Sequence, residues 1–230
     1  MKRCWKPLRF KLSTIPETQI FYQQLNQPKI MTTQSTTNPL YPVFLKLHEL
    51  DLLLVGAGEV GHEKLFFMLK NSPKANVTVV APWVSPKIEE LLAEHPDHRV
   101  TFRRRAFEPT DVVGFQLVIA ATNDRQLNES VRETAKNWGA LVNVADTPEL
   151  CDFYLGSVVT RGDLKIAIST NGKSPTFAKR FRQLLEEALP ANTPNLLNHL
   201  HSLRKKLTGD FTEKVDRLND LTASLVERGN

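Results

Sequence analysis

At 230 residues and 41% hydrophobic content, the chain can bury a substantial core and hold one medium domain plus a smaller one. No apolar run reaches the roughly 20 residues of a transmembrane helix, so no membrane association is expected. The two cysteines, Cys4 and Cys151, form neither a disulfide framework nor a CxxC metal site and predict a reduced, cytoplasmic setting.

The net charge of +5 equals that of residues 1–30 alone, where six Lys/Arg stand against Glu17. The remainder is neutral, so the charge gives no reason to expect a nucleic-acid partner. Residues 1–38 lack sustained periodicity and read as a disordered basic leader. A transit peptide and read-through upstream of a start at Met31 are the other readings. No apolar core of a secretory signal is present.

From Leu40 the pattern becomes regular. Leu40–Leu45 predicts a short strand or edge segment. Leu52–Val55 predicts a buried parallel strand that runs into Gly56-x-Gly58-x-x-Gly61. In such a motif the first glycine permits a tight turn, the second lets backbone approach a pyrophosphate, and the third lets the next helix pack on the strand. A helix from about Glu59 follows, with Leu65, Met68 and Leu69 on one side. Its N-terminal amides and dipole would face phosphate. Further strands are expected at Val77–Ala81, Arg99–Arg104, Gln116–Ala121 and Ala140–Ala145. Helices are expected from Ser85-Pro86, and from Asn123-Asp124 with Leu127, Val131 and Ala135 facing inward; Pro109–Val113 predicts a short turn or helix. This alternation predicts an α/β fold with an open, Rossmann-type parallel sheet over residues 39–150.

After Asp146 the pattern changes. Tyr154–Thr160 and Leu164–Thr170 read as a hairpin around Gly162. A long helix from Ser174-Pro175 to Leu189 follows, then helices at about 194–207 and 211–227. Residues 151–230 are therefore expected to form a smaller α+β dimerisation or substrate region with C-terminal helices.

The chemistry is only partly legible. The acid that normally follows the second strand and holds the ribose is missing, because that strand ends Val80-Ala81-Pro82-Trp83. No arginine for a 2′-phosphate stands there, so NADP is not favoured. Thr122, Asn123 and Asp146 fall at the carboxyl ends of strands, where ligands of open α/β sheets collect. Asn123 reads as a helix cap and Asp146 as a turn residue or a candidate base. His62 reads as a helix-surface residue, and Arg103, Arg104 and Arg105 as a solvated strand end. Cys151 reads as a packed residue, and no cluster has metal-ligand spacing.

The segments PVFLKL, LLLVGAGEVGHEK, VTVVAP, LVIAATND, NVADTPELCDFY and IAISTNGKSPTFAKRFR together resemble the precorrin-2 dehydrogenase/sirohydrochlorin ferrochelatase family, the dehydrogenase part of sirohaem synthases and their stand-alone relatives. The resemblance covers about Tyr41 to Leu189. Its specific part is NVADxPxxxxF at its spacing from STNGxSP, and VTVVAP is what the family carries where the acid is missing. It implies NAD-dependent oxidation of precorrin-2 to sirohydrochlorin in sirohaem biosynthesis by a homodimer. Some members also insert Fe2+ into the product.

Carried over by position, the resemblance puts Gly56, Gly58, Glu59, Val60 and Gly61 at the cofactor phosphates. Pro82 and Trp83 fall beside the adenosine, and Thr122 and Asn123 beside the nicotinamide half. Asp146 becomes the catalytic base. Thr170, Ser174 and Lys179 become substrate contacts, with Arg161, Lys173 and Arg180 as further basic candidates for a polycarboxylate substrate. A non-catalytic NAD-sensing module and a tetrapyrrole binder without cofactor are the alternatives.

Overall fold

Leu52, Leu53, Leu54 and Val55 are each at most 3% exposed, as a central parallel strand covered on both faces requires. They belong to β1 (Asp51–Ala57) in a computed structural model that describes residues 38–223. The leader, the start at Met31 and the last residues expected of the final helix lie outside the described residues. Four more strands, β2 (Asn76–Val84), β3 (Arg99–Arg103), β4 (Leu117–Ala120) and β5 (Leu141–Val144), complete a parallel sheet in the order β3-β2-β1-β4-β5. The first strand in sequence is thus the middle one in space. Its Asp51 N–H donates to Gln116 Oε1, 65 residues on, at 2.8 Å.

Alternating side chains of these strands feed two cores. Leu52, Leu54, Val77 and Val79 pack with Leu65, Met68 and Leu69 of α1 (Glu59–Asn71) and with Ile88 and Leu91 of α2 (Pro86–Glu94). Leu53, Val55, Val118 and Val142 pack on the other face with Val131 and Ala135 of α3 (Arg125–Asn137). The result is the expected doubly wound α/β sheet.

The antiparallel hairpin β6 (Ser157–Arg161) and β7 (Leu164–Ile168) follows, then α4 (Pro175–Ala188), α5 (Thr193–Lys206) and α6 (Phe211–Thr222). Beyond Val144, Val159 and Ala178 are the buried apolar residues among those described. The hairpin is tied to the C-terminal end of α1, where Thr160 Oγ1 donates to Asn71 Oδ1 at 3.3 Å and Lys165 Nζ to the Asn71 carbonyl. Among the described residues no helix is long and apolar enough to cross a membrane.

Three local expectations are corrected. Leu40–Leu45 is not a strand. Tyr41, Val43 and Phe44 lie exposed, and β1, the strand that follows, already has β2 and β4 on its two sides. The chain then joins the core at Leu47 and Leu50, and Asn76 N–H donates to the Leu47 carbonyl at 3.3 Å. β2 continues through Pro82 and Trp83 to Val84 across a register shift between Val55 and Ala57, and Pro82, which lacks an N–H, sits within the shift where no ladder bond is required.

The third correction concerns the arginine run. Asp111, 1% exposed, receives Arg103 Nη1 at 2.7 Å, both terminal nitrogens of Arg105 at 2.7 and 2.6 Å, and Glu108 N–H at 2.9 Å. Arg103 and Arg105 therefore hold a buried carboxylate, while Arg104 makes a surface pair with Glu89 at 2.8 Å. Burial pushes the Asp111 carboxyl up, but Arg105, the Glu108 amide and Arg103 outweigh it and bring the pKa from 3.8 to about 2.

A depressed native pKa stabilises the fold above the unfolded value near 3.8 and ceases to do so as pH falls through about 2. Asp111→Asn is expected to cost about 3 kcal/mol at pH 7, the low end for breaking a buried pair because both guanidinium groups keep contact with water. Urea midpoints of the two proteins should converge between pH 4 and pH 2, and a pH-independent difference would exclude the ionised carboxylate as the source.

Candidate functional site

The sheet order turns between β1 and β4, so a crevice opens there at the carboxyl edge. Gly56 has φ +101, and a Cβ on it would lie 2.5 Å from the Ala121 carbonyl oxygen and 2.9 Å from Thr122 N. The turn after β1 is thereby pressed against the turn after β4. A Cβ on Gly61 would lie 2.2 Å from the Gly56 carbonyl oxygen, the close helix–strand approach expected of the third glycine. A Cβ on Gly58 would meet nothing within 4 Å. The middle glycine faces open space at the amino end of α1, and the cradle fits the pyrophosphate of a dinucleotide.

Glu59 and Val60 open α1. The Glu59 carboxylate accepts Lys87 Nζ at 2.7 Å from the first turn of α2, and that hydrogen bond and charge hold its pKa below the ordinary carboxylate value. Trp83 is 61% exposed, near the end of β2 and on the same edge.

At the end of β4, Thr122 is clasped by Asn128, which is 6% exposed. Thr122 Oγ1 and N–H donate to Asn128 Oδ1 at 2.7 and 3.2 Å, and Asn128 Nδ2 returns a bond to the Thr122 carbonyl at 3.0 Å. Asn123 is not the helix cap. Asp124 Oδ1 accepts the N–H groups of Gln126 and Leu127 at 2.9 and 3.1 Å, because the Asn128 clasp carries the chain one residue further before the helix begins. Asn123 is left exposed beside the crevice.

β5 pairs with β4 through Ala120 and Val144, so Thr122 and Asp146 stand at equivalent distances beyond neighbouring strands. Asp146 has φ 57 and is exposed, and its carboxylate has no hydrogen bond or ion pair among the described residues. Its turn is fixed by the chain folding back along β5. Cys151 Sγ accepts Val144 N–H at 3.2 Å, and its thiol lies 3.2 Å from the Val144 carbonyl oxygen. Asp152 N–H donates to the Val142 carbonyl at 2.7 Å, Asp152 Oδ2 accepts Val142 N–H at 2.9 Å, and Asn143 Nδ2 donates to the Phe153 carbonyl at 2.8 Å. Burial pushes the Cys151 thiol up, which suits packing rather than nucleophilic attack.

The remaining expected residues belong to the β6–β7 hairpin, the loop after it and α4. Thr170 Oγ1 accepts Ser174 N–H at 3.2 Å, and Ser174 Oγ caps α4 by accepting Phe177 N–H at 3.2 Å. Between them Asn171 and Gly172 take φ 51 and 74, the left-handed pair that the Asn-Gly dipeptide suits. Lys173 and Lys179 are exposed and unpaired among the described residues, whereas Arg161 is committed to the Glu186 and Thr160 carbonyls. No group of three or more His, Cys, Asp or Glu that could hold a metal ion occurs among the described residues.

Sequence reasoning missed Asn128, Asn143, Asp152 and Lys87. Their signal is pairwise: the Thr122–Asn128 contact spans 6 residues, those of Asn143 and Asp152 span 10, and Glu59–Lys87 spans 28.

Two family models match the chain: "Putative NAD(P)-binding" over residues 43–157 and "Sirohaem biosynthesis protein central" over residues 161–188. A siroheme synthase of Pseudoalteromonas atlantica is 37% identical over 177 residues, covering 77% of this chain and 37% of that protein. A siroheme synthase of Methylococcus capsulatus is 38% identical over 167 residues, covering 72% and 34%. The chain thus spans little more than a third of the length of these curated relatives. Among solved structures, SirC, precorrin-2 dehydrogenase, matches with a TM-score of 0.65 and 27% identity over 82% of this chain and 90% of that one.

Proposed function

The chain belongs to the sirohaem-biosynthesis family with an NAD(P)-binding sheet, and from that premise we propose that it oxidises precorrin-2 to sirohydrochlorin with NAD. The observation that carries the reading is the pairing, at one sheet edge, of a glycine turn open at Gly58 with an unengaged carboxylate at Asp146.

Bound at that turn, NAD supplies the hydride acceptor. The amides of Glu59, Val60 and Gly61 hold the pyrophosphate, Pro82 and Trp83 flank the adenosine, and Thr122 and Asn123 position the nicotinamide half. Asp146 faces the macrocycle. As two electrons leave the substrate as hydride, a cationic macrocycle results, and the carboxylate stabilises it and takes the one proton lost. Lys173 and Lys179, free of other pairing, answer the substrate carboxylates, and the Thr170 and Ser174 hydroxyls keep their hydrogens for further contacts.

The free Asp146 carboxylate also suits Fe2+ insertion, in which macrocycle N–H protons must be removed and iron enters as substrate. Residues 39–150 act as the cofactor domain and residues 151–230 as the dimerisation and substrate region. A homodimer is supported by the thinly buried hairpin and by Phe177 and Phe181 of α4, stacked at 5.8 Å yet 59% and 38% exposed, since an isolated two-stranded hairpin is marginal in water. The hairpin's anchor at Asn71 lies about 20 Å along α1 from the phosphate turn, which favours a cleft completed by a second copy. A cytoplasmic setting follows from the same reading.

An anaerobic assay with precorrin-2, NAD and then Fe2+ tests the proposal. NAD-dependent formation of sirohydrochlorin is expected, and sirohaem above the uncatalysed background would add the chelatase step. Dinucleotide binding without any turnover would instead favour a sensing module.

A further inference from the structure

The strand that should bring an acid to the adenosine ribose brings none, since β2 ends in Pro82, Trp83 and Val84. Nevertheless, a carboxylate reaches the neighbouring turn from another element. Glu59, the first residue of α1, extends to Lys87 in the first turn of α2, and the two are joined at 2.7 Å. The bond links the turn after β1 to the turn after β2, the two turns between which a dinucleotide's adenosine half lies in this class of sheet.

Stability does not account for it. Lys87 and Glu59 side chains are 55% and 71% exposed, and exposed ion pairs of this kind add little. Lys87 is moreover placed against the positive end of its own helix dipole, where a cation is disfavoured and an anion favoured. Glu89, the acid of that first turn, is taken by Arg104 at 2.8 Å. The amino ends of α1 and α2 together with Lys87 thus make a ready receptor for an additional phosphate, and Glu59 fills it with a carboxylate.

We propose that the Glu59–Lys87 ion pair selects NAD over NADP. The Glu59 carboxylate supplies the negative charge that β2 omits. It repels a 2′-phosphate and neutralises Lys87, a cation placed to receive that phosphate. This inference rests on the dinucleotide reading of the turn and deepens it.

The test is direct binding of NAD+ and NADP+ to the full chain, followed by tryptophan fluorescence or calorimetry, with circular dichroism confirming the fold of each variant. The wild-type chain is expected to bind NAD+ at least tenfold more tightly than NADP+. E59Q should bring NADP+ affinity up by at least tenfold relative to NAD+, and the double variant E59Q/K87Q should lose that gain. An unchanged NADP+/NAD+ ratio in E59Q, or a gain that persists without Lys87, overturns the inference while leaving the cofactor site intact. If the wild-type chain binds neither dinucleotide, the reading beneath the inference fails instead.

Discussion

Asp146→Asn is expected to leave a folded protein that binds NAD normally, while NAD-dependent oxidation of precorrin-2 slows by roughly 10²- to 10⁴-fold, the usual contribution of a positioned general base. Asparagine is the informative substitution because of the backbone. Asp146 sits at φ 57, where asparagine is tolerated and alanine carries a cost of about 1–2 kcal/mol. Asp146→Ala would therefore mix a local rearrangement with loss of the carboxylate. Cys151, Asp152 and Asn143 hold the turn through contacts that the asparagine variant leaves untouched. Stopped-flow rates at saturating substrate, with NAD affinity measured separately, check the expectation. Wild-type rates in the asparagine variant would remove the carboxylate from the proton transfer.

Gly58→Asp should do the opposite, sparing the fold and abolishing the cofactor. A Cβ at Gly58 meets nothing within 4 Å, so thermal stability should change little. The new carboxylate would stand where the pyrophosphate approaches. Two like charges about 4 Å apart repel by about 4 kcal/mol at an effective dielectric of 20, and NAD affinity should fall by roughly 100-fold or more. Gly61→Ala supplies the contrast, since its Cβ would collide with the Gly56 carbonyl and should lower stability as well. Unimpaired NAD binding by the aspartate variant would place the phosphates elsewhere.

The layered sheet and the glycine turn were legible because they are local. Each buried strand is a short apolar run, and each glycine role follows from spacing. Asp146 could be placed at a strand end by the same logic, although its left-handed conformation and freedom from partners could not. What escaped depended on how the chain packs rather than on local pattern. The arginine run looked solvated because Asp111 is buried by packing that no local pattern reveals. Asn123 and Asp124 are equally good caps by composition, and the Asn128 clasp decided between them. Leu40–Leu45 carries an apolar pattern suited to a strand, but the strand it leads into, β1, is already flanked by β2 and β4. The missing ribose acid was read correctly as missing from β2; that Glu59 reaches Lys87 needed the two helices side by side.

The middle position of the first strand has a consequence for how the protein is made. On the ribosome, β1 and its complete glycine motif emerge well before β4 and the turn after it, where Ala121 and Thr122 form the other wall of the glycine turn. At about 5–20 residues per second, the intervening 65 residues occupy roughly 3–13 seconds. During that interval an apolar strand waits without one of its two neighbours, and the coenzyme has no finished pocket to enter. NAD is therefore a ligand of the closed sheet and not a template for it. Supplied during refolding, it should deepen the final state by mass action while leaving the earliest collapse unchanged.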